Sequence, residues 1–450
     1  MPDVMEQQDL YLSSFREQKS RLARQEPAWL HRMRQEAIER FAELGFPTTH
    51  REDWKYTNVA PLAKIPFQLS APEEACSRCT RLSESARVPG MDSPGIRLVF
   101  YNGCYCADLS SLSDLPSSVR AGSLAESVQG RSSLLEAHLA RYADYRSHPF
   151  IALNTAFWRD GAFIRIPSGV VLQHPIHLVY ISAAAEVPVV SFPRTLILAE
   201  RDSQLTVMES YLGLPGGVCF SNAVSEIVLG ENAVVDHYKL ALENEQSYHL
   251  DTLQVYQDRS SNFKSCSLAL GGSLVRNEVN AVLDAEGCDC TLNGLYLAMD
   301  HQLVDNRTMV DHARPHGTSH QLYHGILGDS GTGVFNGRII VRPDAQKTDA
   351  VQRNRNLLLS EDAVIDTKPQ LEIFANDVRC THGATIGQLD PESLFYLCSR
   401  GIGLEEARQL LIDAFAGAIL ERIRPAPMRS RVEETLHAML WQGRHAEEAL

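Results

Sequence analysis

The sequence predicts a mostly β core held between helical segments, and three observations carry the prediction. First, from Gly161 to about residue 375 short runs rich in β-branched residues recur, at 162–166, 170–172, 176–181, 195–198, 223–229, 233–238, 253–255, 281–283 and 338–341. Second, Gly, Asn, Asp or Pro separates many of these runs. Third, helical period is confined to the first 66 residues, one short piece near 132–144 and the chain beyond residue 387. So long a series of short strands fits a sandwich pair, a barrel or a stacked β-solenoid. No exact repeat consensus chooses among them.

In chain order, residues 1–160 form an N-terminal helical and mixed domain with a linker near 68–95, 161–387 the β core, and 388–450 a C-terminal helical domain. Pro27 can open a helix and Gly45 close it, with Leu30, Met33, Ala37, Phe41 and Leu44 as its apolar stripe. Residues 51–65 (REDWKYTNVAPLAKI) lack helical period, so Trp54 and Tyr56 read as docking contacts between domains. Residues 96–101 read as a strand turned by Asn102-Gly103. Past the core, Asp390 caps a helix begun by Pro391 and ended at Gly401. The clearest helix is 404–423, where Ala407, Leu411, Ala414, Phe415, Ala418 and Ile423 form a stripe. Glu405 and Glu406 lie in its first turn and Arg422 in its last. An amphipathic piece at 431–441 follows Pro425 and Pro427. Helices on both flanks suit a solenoid, whose open ends expose unpaired backbone.

Composition excludes several classes of function. Of 450 residues 44% are hydrophobic and 22% charged, as in an ordinary folded protein. A formal net charge of −14 gives no electrostatic case for nucleic acid or an acidic membrane. No apolar run approaches the ~18 residues of a membrane span. The first residues carry acids and no continuous apolar stretch, so neither a secretory signal nor a transit peptide is expected. The ten cysteines are then expected as reduced thiols in a cytoplasm. There is no Gly-x4-Gly-Lys-Ser/Thr, and the Gly pairs at 216–217 and 271–272 lack a following helix with Lys, so a partner must bind any ATP used. No Gly-x-Ser-x-Gly occurs, and nothing indicates that Glu361/Asp362 or Asp284/Glu286 converge.

Four groups could hold a metal. Cys76-x2-Cys79 with Cys104-x-Cys106 could supply four thiolates, though without compact knuckle spacing. Cys288 and Cys290 alternate within a strand-like segment and read as a small, partly buried pair. In the histidine-rich stretch 312–324, His320 and His324 share a strand face and could bind metal or simply be solvated. In 368–387, alternation sends Cys380 and His382 to one face about 7 Å apart, where a thiol and an imidazole can share a soft or borderline metal. The other reading of that pair is a half-buried cysteine beside a solvated histidine.

The wording around the pair is specific. TKPQLEIFANDVRCTHGATIG, then LFYLCSRGI and EEARQLLIDAFAGAILERI, resemble the SufD family of the SUF iron–sulfur cluster assembly system. REDWKYTN at 51–58, LNTAFWRDG at 153–161, TSHQLYHGIL at 318–327 and AQKTDAVQRNRNLLLS at 345–360 extend the resemblance along the chain. It implies a right-handed parallel β-helix flanked by helical segments and a non-catalytic scaffold subunit. It implies a SufB-like paralogue paired through the β-helix, or a homodimer when that partner is absent. It further implies a SufC-like ABC ATPase docked on the C-terminal helix at Leu404, Glu405, Glu406, Ala407, Leu410, Leu411, Ala414 and Phe415. Cys380 and His382 would lie at the shared interface, holding iron or a nascent iron–sulfur cluster in passing. The chain departs from the family pattern at Asn376, where an acid is usual, at His320 and His324, where basic residues are expected, and in Cys76, Cys79, Cys104 and Cys106. Rival readings are a β-helix carbohydrate lyase or hydrolase, SufB itself, and a stand-alone metal-binding protein.

Overall fold

The computed structural model describes residues 4–70, 95–130, 133–184 and 186–442. Its strands are β1 Gln68–Leu69, β2 Ile96–Tyr101, β3 Cys104–Tyr105, β4 Arg120–Ser123, β5 Ala162–Ile166, β6 Ile176–Ser182, β7 Val189–Ser191, β8 Arg194–Ala199, β9 Gln204–Gly213, β10 Cys219–Leu229 and β11 Val234–Leu242. They continue as β12 Tyr248–Gln257, β13 Asn262–Ala269, β14 Leu274–Leu283, β15 Asp289–Ala298, β16 Leu303–His312, β17 Thr318–Leu327, β18 Thr332–Val341, β19 Asp349–Leu358, β20 Val364–Ile373 and β21 Arg379–Gly387. The helices are α1 Val4–Gln25, α2 Ala28–Leu44, α3 Leu124–Gln129, α4 Ser133–His138, α5 Pro149–Phe157, α6 Pro391–Ser399, α7 Leu404–Leu420 and α8 Ala426–His437.

Successive core strands alternate between two parallel sheets. One runs β20-β18-β16-β14-β12-β10-β8-β5, the other β21-β19-β17-β15-β13-β11-β9-β6-β2. The result is a parallel β-solenoid of about eight turns. It settles the choice that strand pattern left open and matches the architecture implied by the resemblance. The sheets also reach N-terminal of residue 161, because β2 pairs parallel with β6 and β4 antiparallel with β5.

One corner explains how the turns stack. Asp202, Asn232, Ser260, Gly287, His316 and Lys347 occupy equivalent corners at positive φ between 55° and 75°. Each donates its backbone N–H to the corner of the next turn, as from Asp202 to Glu231 O (2.8 Å), Asn232 to Arg259 O (2.9 Å) and Lys347 to Asp377 O (2.7 Å). Asn, Asp and Gly suit this backbone best, and Ser, His and Lys are held there by the stacked bonds.

Alternation puts every second side chain into the lumen. Aromatic rings stack along its first turns, with Phe100 over Tyr180 at 5.0 Å and Tyr180 over Tyr211 at 4.8 Å. Further along, each of two tyrosines lies over a glycine of the adjoining turn, Tyr296 over Gly325 and Tyr323 over Gly294.

Helices cover the outer faces. On the first sheet α5 is buried along its whole length, and Asn154 Nδ2 donates to Pro193 O (2.9 Å) and Asn222 O (2.8 Å). Trp54 is buried there as a docking contact, with the Arg276 guanidinium 3.5 Å above its ring. On the second sheet Ile412, Ala416 and Ile419 of α7 pack with Leu295, Leu297 and Ile326. The linker near 68–95 falls almost wholly outside the described residues.

Candidate functional site

The last turn of the solenoid is open. β20 pairs only with β18 and β21 only with β19, so both present a free backbone edge among the described residues. Edge strands of this kind are templates for another chain unless blocked. Here Val364, Ile373, Phe374 and Ile386 are exposed along the edge, Phe374 at 62%.

Cys380 and His382 lie on β21, beside Ala350 and Gln352 of β19 in the ladder. Both β19 residues are fully buried in the lumen, so alternation turns the thiol and the imidazole toward the lumen mouth. Cys380 is half-buried and packs against Ile339, Val341, Ala345, Ala350 and Ala375. His382 is exposed. In burial alone this is the half-buried cysteine beside a solvated histidine. What the strand order adds is a shared direction at an unpaired end.

Burial pushes the Cys380 thiol up, and the nearby Asp349 carboxylate adds to the effect. The thiol is therefore protonated near neutral pH in the chain alone. A metal bound there would release that proton. Asp377, the acid beside Asn376, is turned away: it forms an ion pair with Lys347, and its N–H donates to Gln346 Oε1. Among the described residues no three His, Cys, Asp or Glu side chains cluster as a metal site. Two donors fall short of the usual four, so a metal here needs ligands from elsewhere.

The C-terminal helices present a second surface. The stripe expected on 404–423 differs in register from the face that is buried. Ala407, Ile412, Ala416, Ile419 and Ile423 face the solenoid, Leu411 and Phe415 are half-buried, and Ala414 and Ala418 are exposed. Leu404 (56% exposed) and Leu410 (45%) point outward with Glu405 and Glu406. On α6, Phe395 (76%) and Tyr396 (57%) are also exposed. Sequence reading passed over these two. Their signal was adjacency, since neighbouring aromatics on a helix cannot both face inward.

His320 and His324 do not converge. They stand about 13 Å apart along β17. His320 is exposed, while His324 is buried with Nδ1 2.9 Å from Phe415 O. Cys288 and Cys290 are buried in the lumen. Cys106 is disulfide-bonded, so its thiol is not available to the four-cysteine reading, and the expectation of ten reduced thiols does not hold. Cys76 and Cys79 lie outside the described residues.

A polar cleft of about 730 Å³ lies between the Arg51–Trp54 segment and the outer face of β14–β20. Four of its carboxylates are ion-paired, Glu278 with Arg276, Asp53 with Arg307 at 3.4 Å, Glu372 with Arg338 at 2.8 Å, and Glu52 with Lys368, and Asp144 accepts from Arg146 N and Ser147 Oγ. Burial pushes Glu278 upward, but Arg276 and His148 outweigh it and hold the carboxyl well below its ordinary range. A carboxyl so held is a poor general acid.

The site thus combines an open solenoid edge, a thiol–imidazole pair on the last strand and exposed apolar side chains on the flanking helices. Comparison with known proteins gives the family. Residues 180–415 match the family model described as SUF system FeS cluster assembly, SufBD core domain, and residues 5–178 match the SufBD protein N-terminal region. An iron–sulfur cluster assembly SufBD family protein of Synechocystis is 34% identical over 409 residues, 89% of either chain. The iron–sulfur cluster assembly protein SufD of Escherichia coli is 32% identical over 401 residues, 88% of this chain and 90% of that one. SufD of Bacillus subtilis is 28% identical over 424 residues, 92% and 93%. The chain belongs to the SufBD family of the SUF iron–sulfur cluster assembly system.

Proposed function

We propose that this chain is a non-catalytic, cytoplasmic scaffold subunit of iron–sulfur cluster assembly. It pairs with a SufB-like paralogue through the free edges of β20 and β21 and carries a SufC-like ABC ATPase on its C-terminal helices. The observation that carries the reading is the common lumenal face of Cys380 and His382 on an unpaired terminal strand. Iron or a nascent cluster is cargo there: Cys380 contributes a thiolate, His382 an imidazole, and the paralogue the remaining ligands. Sulfur enters through the paralogue. ATP hydrolysis belongs to the ATPase subunit, in keeping with the lack of a phosphate-binding Gly-Lys loop in this sequence. Without the paralogue, the apolar edge at Phe374 and Ile386 favours a homodimer.

Co-expression with a SufB-like chain and a SufC-like ATPase tests the two contacts separately. Phe374→Asp with Ile386→Asp is expected to release the paralogue and keep the ATPase, and Leu404→Asp with Leu410→Asp to do the reverse. Intact ternary complex from both double variants would refute the proposed surfaces.

A further inference from the structure

Behind the mouth, the lumen floor is built of amides. Thr308 Oγ1 donates to Gln321 Oε1 (2.7 Å), and Gln352 Nε2 donates to the same oxygen (3.2 Å). These bonds pin the nitrogen end of the Gln352 amide. Its Oε1 is buried and has no hydrogen-bond partner. A buried carbonyl oxygen without a donor is costly, and such groups often serve a function. Room for this amide is kept by Gly337 on the opposite wall, where an added Cβ would lie 2.2 Å from Gln352 Nε2.

The neighbouring acceptor is already used. Asn354 Oδ1 accepts from Asn356 Nδ2 (2.6 Å) and from Thr367 Oγ1 (2.9 Å). Gln352 is the ladder partner of His382, on the same lumenal face and one strand spacing away, about 4.8 Å between backbones. An imidazole that binds metal through one nitrogen ordinarily donates its other N–H to a carbonyl or carboxylate, which fixes its tautomer and aim.

We propose that Gln352 is the positioning residue for His382, its Oε1 accepting the imidazole N–H while the Thr308–Gln321 pair holds the amide in place. The purpose of this bond rests on the reading of His382 as a ligand; the bond itself does not.

The test uses the full chain labelled with ¹⁵N-histidine, with the His382 ring signals identified by their loss in His382→Ala. Two-bond ¹H–¹⁵N correlation then reports the tautomer of the neutral ring. The wild type is expected to show one tautomer. Gln352→Leu is expected to show a mixture, and Gln352→Glu, which keeps an acceptor, to restore one. Gly337→Ala, which displaces the amide while leaving Gln352 and His382 themselves unmutated, should mimic Gln352→Leu and covers the case in which that variant fails to fold. An identical tautomer in wild type, Gln352→Leu and Gly337→Ala overturns the proposal. Cluster yield of the reconstituted complex judges the underlying reading separately. If His382→Ala gives wild-type yield, His382 is no ligand, whatever the tautomer. If it does not, Gln352→Leu should lower metal retention about 10- to 100-fold.

Discussion

The imidazole of His324 lies flat against the ring of Phe415, with centroids 4.5 Å apart and an interplanar angle of 27°, while its Nδ1–H donates to Phe415 O at 2.9 Å. This contact ties strand β17 of the solenoid to helix α7, the surface proposed to carry the ATPase. His324→Leu keeps bulk but removes the donor, at an expected cost of about 1–3 kcal/mol. Hydrogen exchange should then quicken in α7 and not in β17. Unchanged exchange in α7 would mean that the helix is held by its apolar face alone.

A second prediction concerns the N-terminal layer. Glu226 is fully buried on β10, pairs with Arg194 at 2.7 Å, and accepts the backbone N–H groups of Ala140, Tyr142 and Ala143 at 2.8–2.9 Å. Glu226→Ala strands a buried guanidinium and three backbone donors. It should cost about 3–5 kcal/mol or more in denaturant unfolding. A loss under 1 kcal/mol would show that solvent reaches this pocket.

A third prediction follows from buried histidines. Burial pushes His312 down to about 4, against the opposing pull of Asp311, and burial with Arg97 does the same for His177. An unfolded histidine takes up its proton near 6.5, so between about 6.5 and 4 the unfolded chain binds protons that the fold refuses. Stability is therefore lost as pH is lowered across that window, by up to about 1.4 kcal/mol per unit for each such histidine. Glu243 acts in the opposite sense. Burial raises it to about 7, so the fold keeps a proton that the unfolded chain releases. The histidine effect is isolated by His312→Gln, which retains a polar partner for Ser319 Oγ. Urea unfolding should find this variant's penalty smaller at pH 5 than at pH 7. Equal penalties would contradict the assignment.

Much of this was legible in the sequence, for identifiable reasons. Asp202 and Asn232 are among the Asn and Asp that separate the runs, at a corner whose backbone few residues tolerate. The same corner also accepts Ser260, His316 and Lys347, so no repeat consensus emerges and the solenoid could not be told from a sandwich by pattern. On α7 the expected stripe lay a residue or two off the buried one, since Leu404, Leu410, Leu411 and Ile412 give the helix apolar residues on more than one side. The direction of Cys380 and His382 was legible only as a common face. That this face looks into an open lumen, beside Gln352, depends on pairing with residues thirty positions earlier in the chain. The disulfide at Cys106 left no spacing signature that separated it from a metal pair.

The central claim is that Cys380 and His382 hold cargo at an interface. It is tested most directly by iron and acid-labile sulfide counted per complex, after reconstitution with a SufB-like chain and a SufC-like ATPase. Cys380→Ala and His382→Ala are each expected to leave the complex assembled and to lower both counts well below wild type. Wild-type iron and sulfide in both variants would contradict the account.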